Sequence, residues 1–508
     1  MERAQGKNII LTDKKTKAVV SNQIWMLLAA LIVAVSAIPF TSGLSFVESV
    51  TAFVVGEGTA PALRRSTEFL TASPLYYASL AAMRDILTSL ALGSEFTLRL
   101  PSLIATALLC AVFYHLVRVF SSPVGGLMAL TILAFNPQLL QLLCAAQPAV
   151  FSVLFALAAL AIWVLVLKRR SALNLSLHLL LTVLSIYSDY QILLPLFSTH
   201  ALLWWIFPTE NRLGWRRALF YLSLVTVICS PGLMHCIELA GRPEFKSDFK
   251  DFSTDAAWRF AVTYSSVFIV LGYGLSQRLN LQIAPNLNVD RNTLSLAKIG
   301  FYLGVTWWLS ALLSALLPGL LHNAIFPIDS QQTAISFLGL ALALGIFASQ
   351  FLTKKTPTLL AAVSIAITVF YPAQSERWRE TAQVLNLKKN TDSDSSLSSL
   401  SSVSSRSQLF ILSGLPEAEH VQFYERKDAG KYLAAPFLFY PVSQHVIPAG
   451  YSNLTQSIGS DSQSGIIVYR GAIPALPTDL FVTSAVTEAI SSVPGSIPGM
   501  LKFSSLPR

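Results

Sequence analysis

Apolar stretches of about 20 residues recur along the first three quarters of the chain, separated by short polar connectors. They fall near 24–41, 74–92, 101–120, 124–144, 148–167, 172–188, 191–207, 217–234, 257–276, 298–318, 332–352 and 356–372. A bilayer core of about 30 Å takes about 20 helical residues to cross, and a backbone in lipid must close its own hydrogen bonds. The pattern predicts a mainly α, polytopic helical membrane protein.

Twelve crossings would return both termini to one side, and the placement of positive charge argues against that number. Segment 1–23 carries Arg3, Lys7, Lys14, Lys15 and Lys17, which makes it a cytoplasmic tail by the positive-inside rule. If 74–92 crosses, Lys168-Arg169-Arg170, Arg212 with Arg216 and Arg217, and Lys354-Lys355 all fall outside. If it lies on the outer surface, all three clusters fall inside, with Arg118, Arg278, Arg291 and Lys298. That run also holds Arg84 and Asp85 at its middle, which an interfacial helix accommodates and a lipid-facing crossing does not. The expectation is eleven crossings within 24–372, an external loop 42–100 carrying surface helices, and a second polar external loop at 235–256. The N-terminus is expected in the cytoplasm and the C-terminus outside it.

After 372 the pattern changes. A serine-rich stretch, 390–407, reads as flexible and solvated, and deleting it should leave the membrane part folded. Strand-like runs follow at 407–415, 435–442 and 465–470, and 376–385 reads as a short helix. Segment 373–508 is therefore expected to form a small extracytoplasmic α/β domain.

Composition sharpens the class. The 508 residues are 53% hydrophobic and 12% charged, against roughly 25% charged in soluble domains. The net charge of +9 is read as loop charge on the cytoplasmic side, and nucleic acid is not an expected partner. Cys110, Cys144, Cys229 and Cys236 lie in or beside apolar runs at irregular spacing and read as small buried hydrophobes. His115 and His178, on apolar helices, read as packing residues. The first apolar run reads as a retained anchor. There is no phosphate loop, dinucleotide fingerprint or internal repeat in the sequence.

The layout resembles the GT-C glycosyltransferases, in particular the bacterial branch with aminoarabinose transferases and protein mannosyltransferases. The resemblance is carried by Ser45–Phe53 (SFVESVTAF), similar to that branch's aromatic-x-Asp-Glu-Ala run, and by 73–103 (SPLYYASLAAMRDILTSLALGSEFTLRLPSL). Two more landmarks, 133–141 (LAFNPQLLQ) and 376–385 (ERWRETAQVL), follow in the same order. Three positions depart from the pattern. Val47 stands where the branch has Asp, Ala72-Ser73-Pro74 where it has His-Pro-Pro, and Ala145-Ala146-Gln147-Pro148-Ala149 where it has Glu-Ala-Arg-Pro-Tyr.

The resemblance implies transfer of a sugar from a polyprenyl-phosphate carrier to an extracytoplasmic acceptor, which is a lipid, a glycan or a protein. Such chemistry needs a base for the acceptor hydroxyl, cations for the departing phosphate and a wall against water. Glu48 is the first candidate for the catalytic carboxylate and Asp189 the second. Glu57, Arg64, Arg65, Tyr76, Tyr77, Arg99 and Gln147 are the substrate-binding candidates. Each also has a structural reading: Glu48 as a helix cap or a partner of Arg64 or Arg65, the two arginines as lipid contacts, Arg99 as a snorkelling residue. A divalent cation is the one cofactor the resemblance allows, and its ligands are not identified by the sequence. Two other functions stay open: a relative that binds polyprenyl lipid or a partner without catalysis, and a transporter. Visible inverted repeats would favour the transporter, and the sequence has none.

Overall fold

The computed structural model describes residues 44–69, 74–88, 94–134, 137–168, 171–206, 215–241, 291–322, 330–351, 408–412, 428–440, 445–449, 464–469, 480–483 and 499–505. The expectations for 1–23, 24–41, 257–276, 356–372, 376–385 and 390–407 lie outside these residues.

Three helices precede the first long one. Helix α1 (Phe46–Val55) is opened by Ser45, whose hydroxyl accepts the N3 amide while the N3 side chain, Glu48, returns to the Ser45 amide. This reciprocal capping box satisfies two of the free donors at a helix start. Gly58, at φ 100°, turns the chain into α2 (Thr59–Phe69). That left-handed conformation is open to glycine and strained for other residues. Helix α3 (Pro74–Thr88) rises about 22 Å over its length, short of a bilayer core. Helices α1–α3 pack on one another, and α3 packs on the long helices α4 and α8 described next.

The bundle consists of α4 (Ser94–Phe120), α5 (Pro123–Ala134), α6 (Pro137–Cys144), α7 (Ala149–Lys168), α8 (Ala172–Ser188), α9 (Leu193–Ile206), α10 (Trp215–Gly241), α11 (Arg291–His322) and α12 (Ser330–Phe351). A single 3-10 turn, Tyr190–Ile192, separates α8 from α9. Among the described residues four segments are long and apolar enough to span a membrane: Glu95–Phe120, Ala149–Leu167, Arg216–His235 and Leu296–Leu313. The apolar helices Ala172–Ser188, Leu193–Ile206 and Ile335–Ile346 are shorter. Phe113, Phe120, Leu130, Leu157, Trp307 and Leu338 belong to one continuous core. Helices α11 and α12 approach most closely at Gly304 and Gly339, where a methyl group on Gly304 would stand 2.7 Å from the Gly339 carbonyl. Small residues at such a crossing let helix backbones meet in an apolar setting.

Several predicted boundaries change. The run 124–144 is two helices, because Pro137 has no amide to continue the ladder from α5. The second predicted crossing starts earlier, at Ser94, so Arg99 lies within the helix and Pro101 is internal to it. The loop expected at 235–256 begins as helix, since α10 runs to Gly241 and carries Glu238.

The C-terminal segments form a five-stranded sheet: β1 (Gln408–Leu412), β2 (His445–Ala449), β3 (Ser464–Tyr469), β4 (Leu480–Thr483) and β5 (Gly499–Ser505), in the order β2-β1-β3-β5-β4. Strand β1 is parallel to β2 and β3, with Phe410 opposite Ile447 and Ile467, while β5 is antiparallel to β3 and β4. Between β1 and β2 lie two one-turn helices, α13 (Ala429–Leu433) and α14 (Ala435–Phe439). The strand expected at 435–442 is thus a helix. Pro436 sits in its first turn, where proline is pre-set for a helix, and a run this short does not fix its own period. Residues 428–440 pack against α1 through Ala435 and Phe437, beside Leu44, Val50, Val54, Tyr77 and Leu80.

Candidate functional site

The capping box that starts α1 also fixes Glu48. Its side chain is 3% exposed. Arg99 of α4 grips it side-on, with Nε 2.6 Å from Oε1 and Nη2 2.8 Å from Oε2. The Ala146 amide donates to Oε1 at 3.1 Å and the Ser45 amide to Oε2 at 3.0 Å. Both oxygens therefore accept two hydrogen bonds each. A buried pair of this kind ties three elements together: α1, α4 and the 145–147 turn that carries Gln147. The partner of Glu48 is Arg99, in place of the Arg64 or Arg65 considered from the sequence.

Arg64 and Arg65, on α2, build a second polar cluster on another side of α1. Arg65 is 1% exposed. Its guanidinium lies over the Phe53 ring at 4.4 Å. Its Nη1 donates to the Phe53 carbonyl at 3.0 Å, its Nη2 meets Glu57 at 2.7 Å, and its Nε meets Asp428 Oδ2 at 3.2 Å. Arg64 Nη2 reaches the same Asp428 oxygen at 2.6 Å. Lys431 lies 3.7 Å from Glu57 and 3.8 Å from Asp428. The Arg65 hydrogen bond holds the Glu57 carboxyl below the usual glutamate range. Burial works to raise Asp428, but the Arg65 hydrogen bond and the charges of Arg65, Lys431 and Arg64 outweigh it and hold that carboxyl below the usual range as well. Arg84, read from the sequence as an interfacial charge, donates from Nη1 to the Val55 carbonyl at 2.7 Å, a favourable cation at the C-terminus of α1.

A third group gathers between α1, α3 and the end of α8. Asp189 is buried and caps the C-terminus of α8. Tyr77 is buried, its hydroxyl hydrogen-bonds Thr51, and it feels the charges of Tyr76, Asp189 and Tyr432. Burial, more than those neighbours, pushes its hydroxyl well above the usual tyrosine range, so it is a neutral donor at any physiological pH. Burial raises Tyr76 likewise. The Tyr76 ring meets Tyr77 edge-on at 5.0 Å and leans on Phe151 at 5.5 Å, and its hydroxyl makes no hydrogen bond of normal geometry. A carboxylate can accept a proton and a neutral phenol can orient a hydroxyl.

The sequence candidates thus divide into three neighbourhoods: Glu48, Arg99 and the turn of Gln147; Glu57, Arg64 and Arg65; Tyr76, Tyr77 and Asp189. Four residues of the C-terminal part were missed: Asp428, Lys431, Tyr432 and Tyr440. Tyr432 stacks on Phe69 at 5.3 Å. The Tyr440 hydroxyl accepts the Leu44 amide at 2.7 Å and donates to Glu95 at 2.7 Å. No local pattern marks them, because their partners on α2, on α4 and in the turn after α1 lie more than 300 residues away. The cap at Glu48, by contrast, is legible as Ser-x-x-Glu before an apolar run. Within the bundle, His178 Nδ1 pairs with the Tyr221 hydroxyl, and the His178 ring lies 4.7 Å from Trp163 and 4.9 Å from His200. The packing reading of His178 gains a polar partner.

Among the described residues no three His, Cys, Asp or Glu side chains converge as a metal site. The lone pairs of Glu48 are already engaged by Arg99 and two amides, so this carboxylate is not open to a divalent cation.

Residues 78–235 match the family described as dolichyl-phosphate-mannose-protein mannosyltransferase. The matched range holds Arg99, Gln147 and Asp189. Among solved structures, the chain is similar to the Archaeoglobus fulgidus oligosaccharyltransferase in complex with Zn and sulfate. The identity is 12% and the TM-score 0.41, over 87% of this chain and 68% of that one. The archaeal oligosaccharyltransferase AglB from Archaeoglobus fulgidus, in complex with an inhibitory peptide and a dolichol-phosphate, gives 11% identity and a TM-score of 0.41 over 87% and 69% of the two chains. No curated protein matches by sequence.

Proposed function

We propose that this chain is a multi-pass membrane glycosyltransferase of the GT-C type, taking a sugar from a polyprenyl-phosphate carrier to an acceptor on the extracytoplasmic side. The support is the mannosyltransferase family match over 78–235. One observation carries the site: a buried carboxylate inside that range, Asp189, lies within electrostatic reach of the hydroxyl of Tyr77. In this reading Asp189 takes the proton of the acceptor hydroxyl as its oxygen attacks the anomeric carbon. The bond from that carbon to the carrier phosphate breaks, and the phosphate leaves with the bonding electrons. Tyr77 and Thr51 orient the acceptor. Glu48 and Arg99 are positioning residues that hold α1 and the 145–147 turn, because their charges are already spent on each other. The 42–100 loop and 373–508 lie outside, with the N-terminus in the cytoplasm. Cysteine-accessibility labelling at Ser122 and Ser171 then reports the cytoplasmic side, and labelling of either from outside overturns the orientation.

A second reading, a relative that binds the carrier lipid without catalysis, is favoured by one observation: the carboxylate at the family's acidic position, Glu48, has no free lone pair for a base. The experiment that separates them is transfer from a radiolabelled polyprenyl-phosphate mannose in membranes containing the chain. Transfer is expected from the unaltered chain. In Asp189→Asn it should fall about 10²–10⁴-fold, the contribution of a positioned base, with donor KM little changed. Full activity in Asp189→Asn removes that residue from the role. Carrier binding without transfer by the unaltered chain supports the second reading.

A further inference from the structure

We propose that Asp428 and helix α13 form an anion-released lid: the Asp428 carboxylate occupies, on the Arg64–Arg65 pair, the seat of a phosphate oxygen, and a phosphate group entering that seat lifts α13 from α2. This goes beyond the transfer reading and does not require it.

The seat is built before the lid arrives. Arg65 is held by the Phe53 carbonyl, by Glu57 and by the Phe53 ring beneath it, none of which belongs to the C-terminal segment. Its Nε faces the C-terminal segment. That donor and Arg64 Nη2 converge on a single oxygen, Asp428 Oδ2, at 3.2 and 2.6 Å. Two guanidinium donors from adjacent residues, aimed at one point, suit a phosphate oxygen as well as a carboxylate. The carboxylate brings one formal charge, and a phosphate brings more charge and further acceptors.

The hold on α13 is part buried and part exposed, with Asp428 and Ala429 on the buried side. On the exposed side it includes Lys431, which is 54% exposed with partners at 3.7 and 3.8 Å, and the Tyr432–Phe69 stack joins it to α2. Exposed pairs of this sort contribute little. The other half of the segment is anchored differently, by buried Phe437 and by the Tyr440 hydroxyl between Leu44 and Glu95. Between the halves stands Ala434, which ends α13 and begins α14 without a side-chain cap. Movement at that residue lifts 428–433 and leaves 435–440 in place. Tyr432 packs beside the same buried cluster that holds Tyr77.

The test follows backbone hydrogen exchange of the full chain in nanodiscs of zwitterionic lipid. Inorganic phosphate is compared with chloride at equal ionic strength, and in a second arm a short polyprenyl phosphate is placed in the disc. Amides of 428–433 are expected to exchange about tenfold faster with phosphate, the scale of one hydrogen bond to a charged group, while 435–440 stay protected. A response to both probes identifies a free anion as sufficient, and a response to the polyprenyl phosphate alone identifies a lipid headgroup; each supports the lid. No response to either probe overturns it. Asp428→Asn removes the competing carboxylate, so inorganic phosphate should bind about tenfold tighter; unchanged affinity refutes the shared seat. Arg64 is 44% exposed, so Arg64→Gln is tolerated by the fold. It should abolish the phosphate response, and persistence of that response counts against the proposal. Exchange is read with no sugar moved. A chain without transferase activity still shows the lid, and an active chain lacking the response refutes the lid alone.

Discussion

Two arginine–carboxylate junctions flank α1, and the same chemistry gives them different characters. At Glu48 and Arg99 both partners are buried, the grip is bidentate, and two backbone amides fill the remaining acceptor positions. At Arg64, Arg65 and Asp428 one carboxylate oxygen is shared by two guanidinium groups, and the surrounding partners Glu57 and Lys431 are 55% and 54% exposed. The first pair cannot open without leaving a charge stranded in an apolar layer. In the second the Arg65–Asp428 contact is equally buried, and what differs is that Arg64, Glu57 and Lys431 around it are open to solvent. Charge pairing alone does not say whether a site is a rivet or a switch; the exposure of the surrounding partners and the filling of every lone pair decide it.

The largest expected break in this contrast is Arg99→Ala. It leaves Glu48 buried and unpaired, and stability should fall by about 3–5 kcal/mol, read as lost thermal stability of the purified chain in detergent. A loss below about 1 kcal/mol would show that water reaches Glu48 and that the two junctions are alike. Next comes Glu48→Gln, which keeps an oxygen for the amides but removes the charge facing Arg99. About 1.5–3 kcal/mol is expected, the worth of a hydrogen bond to a charged group, measured in the same way. Ser45→Ala removes only the cap hydroxyl and should lower stability by about 1 kcal/mol, with faster exchange confined to the first turn of α1.

Acid should act on the second junction. Glu57 and Asp428 are held below their usual ranges in the folded chain. A depressed folded value means that their contribution is complete above the unfolded carboxyl range, about pH 4–4.5, and fades as pH falls from about 5 through the folded values. Exchange of 428–433 should therefore rise on acidification toward pH 4 and below, before the bundle itself opens. A rise beginning near neutral pH would point to some other group. The smallest effect belongs to Lys431→Ala, at most about 0.2–1 kcal/mol and diminished further by salt.

Part of this was legible in the chain. The recurring apolar runs require a helical membrane protein, and Ser45 with Glu48 writes the start of α1 in four residues. Gly58 marks the turn after it. The strands at 408–412 and 464–469 follow from short β-rich runs. The reading failed where local signals were shorter than the element they had to specify. Pro137 divides a run that looks continuous, and 435–439 is too brief to choose between strand and helix on its own.

What the sequence determined by itself was periodicity, caps and turns, because these depend on residues within a few positions of one another. It also marked Glu48, Arg65, Arg99 and Asp189 as ionisable groups near the ends of apolar runs, where desolvation makes charge consequential. Only the tertiary structure decided their partners. Glu48 chose Arg99, 51 positions away. Arg65 chose Asp428, at a separation of 363. The choice rests on which side chains are buried together, and that follows from how α1 is packed between the bundle and the C-terminal segment.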